Sequence, residues 1–446
     1  MTKTRKKYNL PTGYPFLPTL FRSNDFLANP IKFISKSMEK FGGTYTATLG
    51  LRKKIILTQD PAFIEHILRG NHRNYHKSPL ATERAVEFFG NGLLFSNGDY
   101  WLRQRRLVQP AFHREKLQGL YDIVTRSIDE FLRDLPDGEP DIYPLMHQIS
   151  FSLLIRSLFD IRMEPATMAE LGEHFTALQE FLLRDVNRPV QRLLYPFNGM
   201  KRDMLRRAKR LKAIIAGLIR ERRSDPRSYN DLLDMLLSSR YEDSGEHMTD
   251  EQVIDEALIL IFAGHETTAN ALSWMLYLLA THPAINNRLV NELKVSSPAD
   301  TLRNPFVNAV ISESMRLYPP AWMTERVAVE DDRFGDYHFP KGTIIIPFFF
   351  GLHRNAAHWP EPARFHPDRF INDPSLARSA SFFPFGAGPR MCIGNNFAMA
   401  EMCFFLHSFL TNFTIAATPQ VPEMRPLITL RPDRIVLKIE RISTLH

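Results

Sequence analysis

The sequence predicts a mainly α-helical chain with small β-sheets, folded as a single domain over residues 1–446. Three observations carry this. One apolar run is long enough for an unusually long helix, the apolar residues of the basic run at 201–223 recur near helical spacing, and the remaining chain reads as mostly helical with short strand-like patches. No repeat, low-complexity tract or linker divides the chain.

The long run, Ala257 to Ala280, matches a bilayer span in length. Its centre reads Gly264-His265-Glu266-Thr267-Thr268, and an acid and a potential cation at mid-membrane would be expensive. A buried helix is expected instead. Thr249-Asp250-Glu251-Gln252 supplies a capping box at its start and Pro283 a stop just past its end. Such a helix is about 50 Å long at about 1.5 Å per residue. His265-Glu266 suggests a zinc-protease helix, but the second histidine of that motif is replaced by Ala269. Thr267 has two readings. Its hydroxyl bonds back to a carbonyl one turn earlier, or the helix opens locally where Glu266 and Thr267 hold water or a reactant.

Strands are expected at Thr44–Leu49 and Lys54–Thr58, a hairpin about Gly50, and at Thr343–Pro347. Leu427–Leu430 and Ile435–Ile439 flank Arg431-Pro432-Asp433-Arg434 as a further strand–turn–strand.

A chain of 446 residues that is 44% hydrophobic can bury a large interior. Its 21 glycines and 31 prolines exclude collagen-like and disordered classes. Two cysteines, with no C-x-x-C pair, exclude a disulfide scaffold and a zinc ribbon and suit a reducing, cytoplasmic setting. The net charge of +7 is concentrated between Lys201 and Arg223, where only Asp203 and Glu221 oppose the basic residues. A solvated helix face is expected there, with anionic lipid or an acidic partner as the alternative. No nucleic-acid module accompanies the charge. Met1–Lys7 is basic but is followed by Pro11, Pro15 and Pro18 rather than an apolar run, so neither a signal peptide nor a membrane anchor is expected.

The most informative segment is Phe385-Gly-Ala-Gly388-Pro-Arg390-Met-Cys392-Ile-Gly394. A phosphate loop would need glycine where Met391 stands. What remains is a cysteine in a glycine-rich turn with an arginine two residues before it, a setting that favours thiolate over thiol. Cys403, inside an apolar helical run, is expected to be inert.

Phe385–Gly394 resembles the F-x-x-G-x-R-x-C-x-G haem loop of the cytochrome P-450 family. Three further segments match that family's motifs in its order. Ala263–Thr268 resembles the A/G-G-x-D/E-T-T/S oxygen-binding helix, Glu313-Ser-Met-Arg316 the E-x-x-R helix, and Trp101-Leu-Arg-Gln-Arg105 the W-x-x-x-R motif. The resemblance implies the P-450 fold, with haem b between a long central helix and a cysteine-ligand loop. Cys392 is then the axial iron ligand, inside the loop from Phe385 to Gly394. Trp101, Arg105, Arg390 and Arg326 are expected at the haem propionates, and Thr267 and Glu266 in proton delivery to iron-bound oxygen. Glu313, Arg316 and Arg369 are expected to form a structural ion network, Arg369 lying in Pro367-Asp368-Arg369-Phe370, where the family usually has Glu at the second position.

The activity implied is a monooxygenase that inserts one atom of O2 into an apolar substrate, with electrons from a ferredoxin or flavodoxin and its reductase. Such a partner is expected to dock near Arg103, Arg106, Arg114 and Lys116. The family pattern places Phe88, Leu94, Ala263, Ala321, Trp322 and Met323 at the substrate pocket. The wording of the motifs resembles fatty-acid and carotenoid hydroxylases, so a long apolar lipid is the leading substrate, ahead of terpenoids and steroids. The alternatives are a peroxide-driven peroxygenase or haem isomerase on the same fold, and a non-catalytic haem or lipid carrier. Thr267 argues against the peroxygenase.

Overall fold

β-Branched residues make up half of two runs near the N-terminus, and in the computed structural model those runs pair antiparallel, Thr44–Leu49 against Lys53–Thr58. The structure describes residues 8–49, 53–159, 164–187, 195–225, 227, 229 and 231–442. Gly50, at the bend of that hairpin, and Met1–Lys7 lie outside the described residues.

The chain divides into two units, each made from two stretches. The first joins Met1–Ser78 to Met315–Cys392. It contains β1 (Gly13–Tyr14), β2 (Thr44–Leu49), β3 (Lys53–Thr58), β4 (Tyr75–His76), β5 (Arg326–Ala328), β6 (Asp332–Phe334), β7 (Tyr337–Phe339) and β8 (Ile344–Pro347). Six of these form one sheet in the order β1-β2-β3-β8-β5-β4, while β6 and β7 pair separately. Helix α1 (Pro30–Phe41) starts where the Asn29 side chain accepts from Lys32 N with proline at the first turn, and ends on left-handed Gly42. Ile56, Phe63, Ile345 and Phe349 build the core of this unit together with Phe383 and Ala387, so the segment leading to Cys392 is moored in that core.

The second unit joins Pro79–Ser314 to Ile393–His446. Its main helices are α2 (Pro79–Phe89), α3 (Gly98–Val108), α4 (Ile142–Phe159), α5 (Pro165–Asn187), α6 (Met200–Ser224), α7 (Asp250–Thr281), α8 (Pro305–Leu317) and α9 (Asn395–Asn412). The chain passes from one unit to the other along α8. α7 is the predicted long helix. Both halves of its capping box form, with Gln252 N donating to Thr249 Oγ1 at 3.3 Å and Thr249 N to Gln252 Oε1 at 2.9 Å. Its flanks pack on α4, α6 and α9. Gly264 permits the α4 contact, since a Cβ there would come within 2.9 Å of Leu154 Cδ2. Among the described residues, no helix is long and apolar enough to cross a membrane.

The basic run along α6 is answered by acids from other elements. Arg207 meets Glu173 at 2.9 Å, Arg210 meets Glu170 at 2.6 Å and Lys212 meets Asp255 at 2.8 Å. Arg222 is buried between Asp231 and Asp234. Much of the local surplus is therefore neutralised across helices, which a count along the run cannot reveal.

One expectation fails. Leu427–Leu430 and Ile435–Ile439 do not pair with each other. β9 (Phe413–Ala417) pairs with β12 (Leu437–Arg441), and β10 (Met424–Pro426) pairs with β11 (Leu430–Pro432). The tight bend at Leu427–Thr429 claims Leu430–Pro432 locally, and the alternating Leu437–Arg441 finds a five-residue partner in Phe413–Ala417.

Candidate active site

In the first unit, Cys392 N donates to Phe385 O at 2.9 Å and closes the glycine-rich loop. Gly386 and Gly388 both have positive φ, +71° and +69°. At Gly388 a Cβ would lie 1.8 Å from Leu68 O, so only glycine fits. The Cys392 side chain is exposed on this loop and Arg390 is half-buried.

Cations crowd near the loop. Arg326 is buried, and burial pulls its guanidinium down to about 10 against the opposing effect of Glu325. Lys77 keeps part of its side chain accessible, yet burial, then Arg326 and Arg390, bring its ammonium down to about 7. Burial and Arg390 likewise lower His76. A cluster that suppresses its own charge in this way is built for an anion. The two carboxylates of a haem, and an iron to take the Cys392 sulfur, suit these residues. Lys77 belongs to no motif, and nothing in its sequence neighbourhood marks it.

Arg316 is fully buried and donates to the carbonyls of His353 and Pro362 at 2.8 Å and of Arg364 at 3.2 Å. Arg369 donates to Pro360 O at 3.1 Å. Both guanidiniums lie over the Trp359 ring, 5.2 and 6.0 Å from its centroid. Ala321 is exposed, Met323 half-buried, and Trp322 fully buried with its ring edge-on to Phe348.

In the second unit, Thr267 Oγ1 donates to Ala263 O at 2.8 Å and Thr268 Oγ1 to Gly264 O at 3.1 Å. Both hydroxyls thus fold back one turn on α7, as the first reading of Thr267 holds. Glu266 is turned elsewhere. Thr429 Oγ1 donates to its Oε1 at 2.9 Å and Gln179 Nε2 to its Oε2 at 3.1 Å. Burial raises its carboxyl, while Thr429 and then Arg431 lower it. Sequence reasoning missed Gln179 and Thr429. Gln179 sits on a helix with no recognised motif, and Thr429 in a bend that was read as strand.

Trp101 and Arg105 lie half-buried on α3, where Arg105 Nε also donates to Gln109 Oε1 at 3.1 Å. Phe88 is buried edge-on against Phe181, and Leu94 and Ala263 are half-buried. Glu313 is fully buried on α8, and Gly394 immediately precedes α9. Cys403 is completely buried and its thiol is pushed up to about 12, so it is unreactive.

A family model for cytochrome P450 matches residues 9–445. The chain belongs to the cytochrome P450 family. A cyclooctat-9-en-7-ol 5-monooxygenase from Streptomyces melanosporofaciens is 29% identical to this P450, covering 90% of it and 89% of the relative. Leukotriene-B4 omega-hydroxylase 3 of Mus musculus is 32% identical, covering 80% and 74%. The crystal structure of the cytochrome P450DA heme domain has a TM-score of 0.85 at 21% identity, covering 98% of this chain and 99% of that one, and shares the fold. This P450 is accordingly a haem b monooxygenase, of a family that generally uses O2, a substrate and a redox partner.

Proposed function

We propose that this P450 hydroxylates a long apolar lipid in the cytoplasm, as one catalytic domain served by a separate ferredoxin or flavodoxin. The observation that carries the substrate class is the character of the second unit's candidate wall. Phe88, Leu94 and Ala263 are apolar, and Glu266, the α7 carboxylate three residues past Ala263, has both oxygens engaged by Thr429 and Gln179. Ala321, Trp322 and Met323 are the corresponding apolar segment of the first unit.

Cys392, Arg326, Arg390 and Lys77, with Trp101 and Arg105, would hold haem b, within the loop whose ends are Phe385 and Gly394. When bound, the haem activates O2 so that one oxygen atom enters the substrate. The chain's own residues do the rest. The glycine-rich loop presents the Cys392 sulfur, and the arginines and Lys77 neutralise the propionates. Thr267 Oγ1, its proton on Ala263 O, keeps lone pairs to accept and pass a proton, and the half-buried Glu266 supplies protons beside it on α7. Glu313, Arg316 and Arg369 hold the fold. Arg103, Arg106, Arg114 and Lys116 are exposed cations suited to an acidic electron donor.

The test is an optical titration of the ferric protein with long-chain fatty acids, carotenoids, and cyclic terpenes or steroids. A high-spin shift with fatty acids supports the reading. A shift with cyclic ligands alone replaces the lipid with a cyclic substrate, in keeping with the name of the Streptomyces cyclooctat-9-en-7-ol 5-monooxygenase.

A further inference from the structure

The Glu266 carboxyl is gripped from two elements outside its own helix. Gln179 on α5 takes one oxygen and Thr429, in the bend between β10 and β11, takes the other. Thr429 is itself engaged. Asn270, one turn along α7 from Glu266, donates Nδ2 to Thr429 Oγ1 at 2.9 Å. A hydroxyl has a single proton. Because the Asn270 amide donates to Thr429, the Thr429 proton is directed at Glu266, and the order Asn270 to Thr429 to Glu266 is fixed. Thr429 and Asn270 are both buried, and Trp274 Nε1 donates to Leu430 O at 3.1 Å, tying the bend to α7.

The charged and titratable neighbours do not replace this hold. Arg431 on β11 acts on Glu266 and also on Tyr143 and His147 of α4, and His147 packs edge-on to His265. Glu266 feels Thr429 more strongly than it feels Arg431. Neither Glu266 oxygen is engaged by Thr267, whose own proton lies on Ala263 O.

We propose that Thr429, oriented by Asn270, is a positioning residue that holds Glu266 as a carboxylate and so sets when Glu266 takes up and releases the protons it delivers toward Thr267. This rests on the reading of Glu266 as a proton carrier. The donated hydrogen bond favours the charged form. Each proton uptake weakens the Thr429 contact, and each release restores it.

The experiment compares Thr429→Val, which keeps the shape and loses the proton, with Thr429→Ser, which keeps the proton. Both are studied as holoenzymes with an intact Soret band. Difference infrared spectroscopy across pH follows the protonated carboxyl of Glu266, assigned by its disappearance in Glu266→Gln. The pH profile of product formed per electron consumed is measured beside it. Thr429→Val is expected to move the Glu266 titration up by about one to two pH units, the scale of one hydrogen bond to a charged group, and to move the coupling profile with it. Thr429→Ser is expected to restore both, and Asn270→Ala to give a smaller shift in the same direction. An unshifted Glu266 titration in Thr429→Val overturns the positioning role by itself. Unchanged coupling in Glu266→Gln overturns the proton-carrier reading instead.

Discussion

Thr429 and Glu266 stand 163 positions apart in the sequence, and a hydrogen bond of 2.9 Å joins them. With Gln179 on the other oxygen, the contact engages the acid of the oxygen-helix motif independently of its neighbour Thr267. Two adjacent residues of one motif therefore answer to different partners, one to its own helix and one to α5 and the bend between β10 and β11.

Thr267→Ala should leave electron consumption in place and lower its coupling to product by about ten-fold or more, with peroxide released, as loss of a positioned proton-transfer group implies. Thr267→Ser should retain most coupling. Peroxide and product are quantified against NAD(P)H consumed with a surrogate reductase. Unchanged coupling in Thr267→Ala removes the residue from proton delivery.

Arg316→Ala should destabilise the protein by about 3–5 kcal/mol, the usual scale for breaking a buried charged network. It leaves the carbonyls of His353, Pro362 and Arg364 without their donor. Urea unfolding and haem retention report this. A variant that unfolds normally but turns over slowly would make Arg316 catalytic rather than structural.

Lys77 gives a pH dependence to the haem-free protein. Its ammonium is lowered to about 7 in the folded chain, below its unfolded value, so the unfolded chain binds the extra proton above that pH. Stability should therefore rise from about pH 7 to about pH 10. Lys77→Met should flatten this rise and weaken haem retention. Urea midpoints across that window decide it, and an unaltered slope would dismiss the cation cluster as the cause.

Glu401 has the opposite sign. It is buried on α9 beside the hydroxyls of Ser150 and Thr268, its Oε1 has no hydrogen-bond partner among the described residues, and burial pushes its carboxyl up from 4.5 to about 8. The folded state binds the extra proton between these values, so Glu401's contribution to stability is lost as pH rises through that range. Glu401→Gln should remove the loss and make the protein more stable than wild type above about pH 8. Equal pH slopes for the two proteins would contradict this.

The sequence was legible where chemistry is local. The capping box Thr249–Gln252, the apolar length of α7 and the glycine-rich turn before Cys392 depend on neighbours, and each can be read from spacing. Contacts that close over long separations were not legible. Lys77 meets Arg326 and Arg390 only after β4 and β5 pair, Thr429 reaches Glu266 only because its bend lies on α7, and the partners of β11 and β12 are chosen by tertiary register. The charge of α6 shows the same limit, since Glu170, Glu173 and Asp255 answer it from other helices.

The most direct test of the account is the spectrum of the reduced, carbon monoxide-bound holoenzyme beside that of Cys392→Ala. The wild-type protein should show the red-shifted Soret band of a thiolate-ligated haem, and the variant should lose both that band and monooxygenation. If Cys392→Ala retains both, Cys392 is not the iron ligand and the assignment built on its loop is wrong.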